Sequence, residues 1–250
     1  MIARPQPASH AAERALAPPS FADREEAARQ LAERLLAYRG KNPLVLAIPR
    51  GAVPMARVIA QQLGGELDVV LVRKLRAPLQ PELAIGAVNE SGWLYLGGQG
   101  YRHGVSDSYL ATERRDQMQT IRERRARYAK VRPAVATAGR VVIVVDDGLA
   151  TGATMIAALH GLRQSKPAKL VCAVPVAPAD TLARVADLAD EVLCLHQPTD
   201  FEAVGQFYRH FPQVSDDEVL TILRQSAPVS TPVSTPPPAA SRPQAQAPAR

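Results

Sequence analysis

Val141-Val142-Ile143-Val144-Val145-Asp146-Asp147-Gly148-Leu149-Ala150-Thr151-Gly152-Ala153-Thr154 is the stretch from which the rest of the chain can be read. Val141–Val145 is an unbroken β-branched run, the pattern of a strand buried on both faces. Asp146 and Asp147 sit where that strand should end. A short loop of small residues follows, and an apolar helical pattern opens at Ala153–Thr154 and continues through Met155–Leu162. In open α/β sheets, ligands bind outside the carboxyl ends of the strands. A Gly- and Thr-rich turn entering a helix offers backbone N–H groups and hydroxyls to an anion, and the helix dipole adds to the attraction. One turn therefore combines an anion cradle with two acids able to hold hydroxyls or a metal. The plainer alternative is a strand-to-helix turn with a capping Thr and two solvated acids.

The chain around this turn has 250 residues and a net charge of +6, enough for one domain plus tails. The modest positive charge suits a polyanionic ligand as well as it suits nucleic acid. Two cysteines, Cys172 and Cys194, lie in apolar runs and read as buried thiols of a reducing compartment. No Cys or His spacing suggests a metal site. No apolar run reaches the roughly 18 residues that a membrane span needs, and no signal-peptide pattern is evident. The expected setting is cytoplasmic, with no membrane partner.

Residues 1–20 are rich in Ala and Pro and are expected to be disordered, as is the Pro/Ala-rich tail 225–250. Between them, 21–224 is expected to form one domain. Phe21–Tyr38 reads as a helix with Ala28, Leu31, Leu35 and Tyr38 inward and Arg24, Glu25, Glu33 and Arg34 in water. Strands are expected at Leu44–Ile48, Asp68–Val72, Leu170–Pro175 and Glu191–Leu195. Helices are expected at Met55–Leu63, Asp107–Lys130 and near Asp180–Ala189. Leu75–Gly92 has little regular pattern except a strand at Leu83–Val88, which Trp93–Leu96 could join. Ser215 followed by Glu218 reads as a capping box for a closing helix. Strands alternating with helices predict an α/β fold, a mostly parallel sheet flanked by helices.

The central turn resembles the signature of the type I phosphoribosyltransferases: apolar strand, paired acids, a short variable stretch, Thr-Gly, and a closing Thr. Further stretches carry the same likeness: IPRGAVP (48–54), DVVLVRKL (68–75), PELAIGAV (81–88), AVPVAP (173–178), VGQFYRHF (204–211) and QVSDDEV (213–219). Together they look like bacterial phosphoribosyltransferases of unassigned substrate. The resemblance implies that fold, with a small hood and a mobile loop. It also implies phosphoribosyl pyrophosphate as donor, Mg²⁺ as companion ion and a small acceptor. A homodimer would be in keeping with folds of this kind.

By that likeness Asp146 and Asp147 hold the ribose hydroxyls, directly or through Mg²⁺ and water, and act as the catalytic pair. Ala150, Thr151, Gly152, Ala153 and Thr154 hold the 5′-phosphate. Arg50 and Gly51 match the pyrophosphate loop, with Ala52 standing where a second Gly is common. Arg73 and Lys74 are the next pyrophosphate candidates, or else an ordinary basic strand end. Leu75–Gly92 takes the place of the mobile loop, where Arg76 is an extra base. Glu82, the third catalytic candidate, either contacts the acceptor or its proton or is a solvated loop acid.

Acceptor identity is narrowed at one position. Enzymes for 6-oxopurines carry an acid where this chain has Ala150, so the resemblance points to another acceptor, nucleobase-like or not. His103 and His196 carry no assigned chemistry. Phe201, Phe207, Tyr208 and Phe211 either stack on a flat acceptor or form a helix's core face, with core preferred. The competing function is a non-catalytic sensor of the same donor with a nucleic-acid or protein partner, kept open by Arg114, Arg115, Arg122, Arg124, Arg125 and Arg127 on one helix. Interspersed acids make that surface more simply a solvated face, so nucleic acid is not the expected partner. A phosphatase or nucleotidase lacks any nucleophile or metal constellation here.

Overall fold

The computed structural model describes residues 20–97 and 105–226. The expectations for His103 and for the tails lie outside the described residues, except that Gln225, counted with the tail, ends a helix. Five parallel strands form the central sheet: β1 (Leu44–Ala47), β2 (Glu66–Val69), β6 (Val141–Val145), β7 (Lys169–Val176) and β8 (Glu191–His196), in the order β2-β1-β6-β7-β8. Three more, β3 (Val72–Ala77), β4 (Gln80–Asn89) and β5 (Leu94–Leu96), make a separate antiparallel sheet. The helices are α1 (Arg24–Arg34), α2 (Ala52–Leu63), α3 (Asp107–Ala129), α4 (Ala153–Gln164), α5 (Ala179–Ala186) and α6 (Asp216–Gln225).

Strand register explains why the apolar runs are continuous. Val45 pairs with Ile143 and Val144 with Cys172, so like-facing side chains align across the sheet. Val45, Ala47, Ile143, Val145 and Val171 point to one layer, with Leu31 of α1, Ile59 of α2, Tyr128 of α3 and Leu223 of α6. Leu44, Leu46, Val142, Val144 and Cys172 point to the other, with Leu159 of α4 and Val185 of α5. Helices on both faces leave no side of the inner strands for water.

Strand order also places the site. From β1 the chain moves outward to β2, then returns to β1's other side for β6 and proceeds through β7 to β8. The direction of winding reverses between β1 and β6. Their carboxyl ends therefore open a crevice, the usual ligand position in such sheets.

Several expectations change. Asp68–Val72 is not one strand: β2 ends at Val69 in the main sheet, and Val72 begins β3 in the small one. The Leu75–Gly92 stretch is not irregular. It forms most of a β3–β4 hairpin, with Lys74 opposite Ala87 and bulges around Arg76, and β5 joins as expected. The bulged register weakens the alternation by which such a strand is recognised. This small sheet packs between α3 and α4. Asn89 pins it, donating through Nδ2 to the Ala157 carbonyl at 3.0 Å, while Trp93 stacks on His160 of α4 at 3.6 Å between ring centroids. Cys172 is buried as expected, but Cys194 is half-buried because β8 is an edge strand. Phe201–Phe211 is not a helix but an irregular segment around a 3₁₀ turn at Val204–Phe207.

Candidate active site

Asp146 and Asp147 end the central strand at the floor of a cleft of about 850 Å³. Gly148, Leu149, Ala150, Thr151, Gly152 and Thr154 continue its wall, Arg73, Lys74 and Arg76 face it from the small sheet, and Glu202–Gly205 with Phe211 close the third side. Three separate pieces of fold thus converge on one turn.

Local geometry follows from small residues. Gly152 is left-handed at φ +72°, the residue at which the loop turns into α4. A side chain there would be strained, and its Cβ would sit 2.8 Å from Thr181 Cγ2. Thr151 Oγ1 accepts from the Ala153 N–H at 3.5 Å, and Thr181 Oγ1 donates to the Ala150 carbonyl at 2.7 Å. The turn is therefore held from behind, with the start of α4 facing the cleft. Gly148 lets Val176 and Val204 close in: a Cβ would come within 2.9 Å and 2.7 Å of their methyl groups.

The two acids differ. Burial, and then the neighbouring Asp147 charge, push the Asp146 carboxyl well above the usual carboxylate range. Burial also raises Asp147, but a guanidinium opposes it: Arg24 Nε and Nη2 reach Asp147 Oδ2 at 3.0 and 2.9 Å. The helical pattern of α1 places Arg24 in water, yet only 11% of its side chain is exposed, and Asp147 is likewise no simple exposed strand end at 18%. The reason is a contact spanning 123 residues of sequence, which a helical-face reading of α1 does not contain.

The other expected site residues fall into place unevenly. Arg73 is half-buried, donates from Nε to Gln117 Oε1 at 2.9 Å, and is held below its ordinary pKa by burial and by Arg124, Arg76 and Arg50. A crowd of like charges around a partly buried cation marks a place where an anion is favoured. Lys74 is exposed at the cleft. Ala153 is buried and does not line the cleft. Arg50, after a cis Pro49–Arg50 peptide, is turned to Asp216 of α6 at 3.3 Å, and its side chain is not part of the cleft wall. Gly51 is also behind the wall. It is helical at φ −55°, so backbone freedom is not its reason: a Cβ would collide with Asp147 Oδ2. Ala52 is fully buried as the first residue of α2. Glu82 lies in β4, and its side chain is outside what the structure describes.

Of the four aromatic candidates, Phe207 and Tyr208 are core, and Phe211 lines the cleft. Arg24, which the helical pattern leaves in water, meets Asp147 behind the cleft wall, and Glu202 is a cleft acid that no sequence motif marks. On α3, Arg124, Arg125 and Arg127 are tied to Asp216, Glu90 and Asp217, which removes half of the expected basic surface from free display. No helix among the described residues is long and apolar enough to cross a membrane.

At the sheet reversal, paired acids, a helix start and three cations of the small sheet meet in one cleft, the arrangement an anionic ligand needs. The phosphoribosyl transferase domain family model matches residues 17–212, and the chain belongs to that family, whose class of chemistry is pentosyl transfer. It is 46% identical over 205 residues to a provisionally named phosphoribosyl transferase, Rv0571c, of Mycobacterium tuberculosis H37Rv, and equally to its counterpart in strain CDC 1551. The match covers 81% of this chain and 46% of each relative, so the chain spans about half the length of the curated relatives it matches. The solved structure of TT1426 from Thermus thermophilus is 47% identical, superposes with a TM-score of 0.69, and is covered over 99% of its length by 83% of this chain.

Proposed function

We propose that the domain transfers a phosphoribosyl group from phosphoribosyl pyrophosphate to a small acceptor that is not a 6-oxopurine. The observation that carries this is the single cleft shared by the acids Asp146 and Asp147, the Thr151–Thr154 helix start and the cations Arg73, Lys74 and Arg76. A donor with a 5′-phosphate at one end, ribose hydroxyls in the middle and pyrophosphate at the other has that order of charges.

In this reading the backbone from Ala150 to Thr154 and the Thr151 and Thr154 hydroxyls grip the 5′-phosphate. Asp146 and Asp147 accept hydrogen bonds from the ribose 2′- and 3′-hydroxyls. Arg73, Lys74 and Arg76 take up charge on the departing pyrophosphate as its bond to the sugar C1 breaks, its electron pair leaving with it. An acceptor nitrogen forms the new bond at C1 from the side bounded by Glu202–Gly205 and Phe211. Arg50 and Gly51 act as the rear of the pyrophosphate loop, and Glu82 as an acceptor contact. Ala150 stands where enzymes for 6-oxopurines carry an acid, which argues against that acceptor.

The donor set bears directly on Mg²⁺. Among the described residues no three His, Cys, Asp or Glu side chains come together, so a protein-only cage is absent. Two adjacent carboxylates, one of them buried and poorly compensated, fit an ion that shares its remaining positions with substrate oxygens and water. Asp146 and Asp147 would hold it, and when bound it would neutralise charge on the donor.

Calorimetry with Mg²⁺–phosphoribosyl pyrophosphate is the direct test. Wild type is expected to bind and Asp146→Asn to lose binding while keeping its melting temperature; equal binding by both refutes the assignment. Pyrophosphate release in the presence of candidate bases then separates an enzyme from a donor sensor. No release with nucleobases or with other small nitrogen acceptors, despite tight donor binding, favours the sensor.

A further inference from the structure

Arg24 does not line the cleft, yet both neighbours of its guanidinium do. On one side it holds Asp147 Oδ2 through Nε and Nη2. On another its carbon lies 3.7 Å from the centroid of the Phe211 ring, which itself stacks on Tyr208 at 4.7 Å. Its Nη1 donates to the Pro212 carbonyl at 2.7 Å. Tyr208 closes the circle, its hydroxyl donating to the Asp147 carbonyl at 2.6 Å. Gly51 abuts the same pair, since a Cβ there would lie 3.2 Å from Arg24 Nη2.

The backbone around this node is stitched as well. Phe21 N–H donates to the Phe207 carbonyl, and the Arg209 and His210 N–H groups donate to the carbonyls of Phe21 and Ala22, at 2.8–2.9 Å. The start of α1 is thus fixed to the 207–212 segment before Arg24 reaches inward. A guanidinium suits this place where an ammonium does not: a planar fork can hold a carboxylate at its edge while its face covers a ring.

We propose that Arg24 is a positioning residue for the transfer reaction, one side chain that orients the donor-side carboxylate of Asp147 and fastens the acceptor-side wall at Phe211 to the same point. This rests on the reading of the cleft as a phosphoribosyl pyrophosphate site. The N-terminal helix then belongs to the active site although none of its side chains lines the cleft. Loss of Arg24 leaves Asp147 free to turn and unfastens Phe211 from it, so the two halves of the cleft lose their common reference.

The test uses the full chain with Arg24→Met, Arg24→Lys and, as a control on the same helix, Arg29→Met, whose ion pair with Glu25 is exposed. Each is measured for Mg²⁺–phosphoribosyl pyrophosphate affinity by calorimetry and for amide hydrogen exchange across 201–213. Arg24→Met is expected to weaken donor binding by about tenfold or more, in line with loss of hydrogen bonds to a charged group, and to speed exchange in that segment alone. Arg24→Lys restores part of the affinity, through its charge, but not the slow exchange. Arg29→Met matches wild type in both. Wild-type affinity in Arg24→Met, or loosening spread over the whole domain, overturns the role of Arg24 alone. Failure of wild type to bind the donor overturns the donor-site reading and this role with it.

Discussion

Two glycines at the site are required for different reasons, and substitution separates them. Gly152 needs its left-handed backbone, so Gly152→Ala is expected to cost about 1–3 kcal/mol, read by urea denaturation. Gly51 has ordinary helical angles, so Gly51→Ala is not strained in its backbone. Its methyl group instead displaces the Asp147 carboxylate. Donor affinity is therefore expected to fall in Gly51→Ala, and calorimetry beside a thermal melt checks it. An unchanged affinity would show that Asp147 does not need its present orientation.

Among the elements, α6 shows how a local signal carries a distant consequence. Ser215 Oγ accepts from the Glu218 N–H at 3.1 Å, and Glu218 Oε2 in turn accepts from the Ser215 N–H at 2.7 Å, the reciprocal cap expected from the spacing. Ser215→Ala is expected to destabilise by about 1 kcal/mol. The next residue, Asp216, binds Arg50 and accepts from the Tyr128 hydroxyl at 3.0 Å, so fraying of this end should also raise amide exchange around Arg50. Exchange that rises in α6 alone would mean the Arg50 loop is held by its own backbone. The β3–β4 hairpin is the counterexample in legibility. Leu83–Val88 is readable as a strand, but Arg73 and Lys74 read as a strand end because the apolar run Asp68–Val72 hides the change of sheet between Val69 and Val72.

For the molecule as a whole, acid lability and surface charge give two more tests. Asp190 ties three elements: its Oδ2 accepts from Arg163 Nη1 of α4 at 3.1 Å and from the Leu170 N–H of β7 at 2.7 Å, just before β8. The Arg163 hydrogen bond, then that of Leu170, hold its carboxyl below the usual range. With the folded pKa lowered, the unfolded chain takes the proton first as pH falls. The stabilisation is complete above about pH 4, the ordinary carboxylate value, and is lost as pH drops through the folded value. Denaturation curves of wild type and Asp190→Asn should therefore differ at neutral pH and converge under acid; a constant gap would mean that charge plays no part. On α3, with Arg124, Arg125 and Arg127 engaged by acids, no steeply salt-dependent nucleic-acid binding is expected, and a filter-binding titration across ionic strength reads this directly.

What the sequence determined by itself was whatever depends on near neighbours. The β-branched run, the acids at its end, the Thr-Gly turn into α4, the inward face of α1 and the capping box of α6 each follow from periodicity or from contacts within a few residues. Only the tertiary structure decided which of two sheets a strand joins, that Arg24 is drawn out of water onto Asp147 and Phe211, and that Arg50 turns to Asp216 while Arg73 faces the cleft. The physical reason is the same in each case. These outcomes depend on groups far apart in the chain, 123 residues for Arg24 and Asp147 and 166 for Arg50 and Asp216, brought together only when both faces of the sheet are covered.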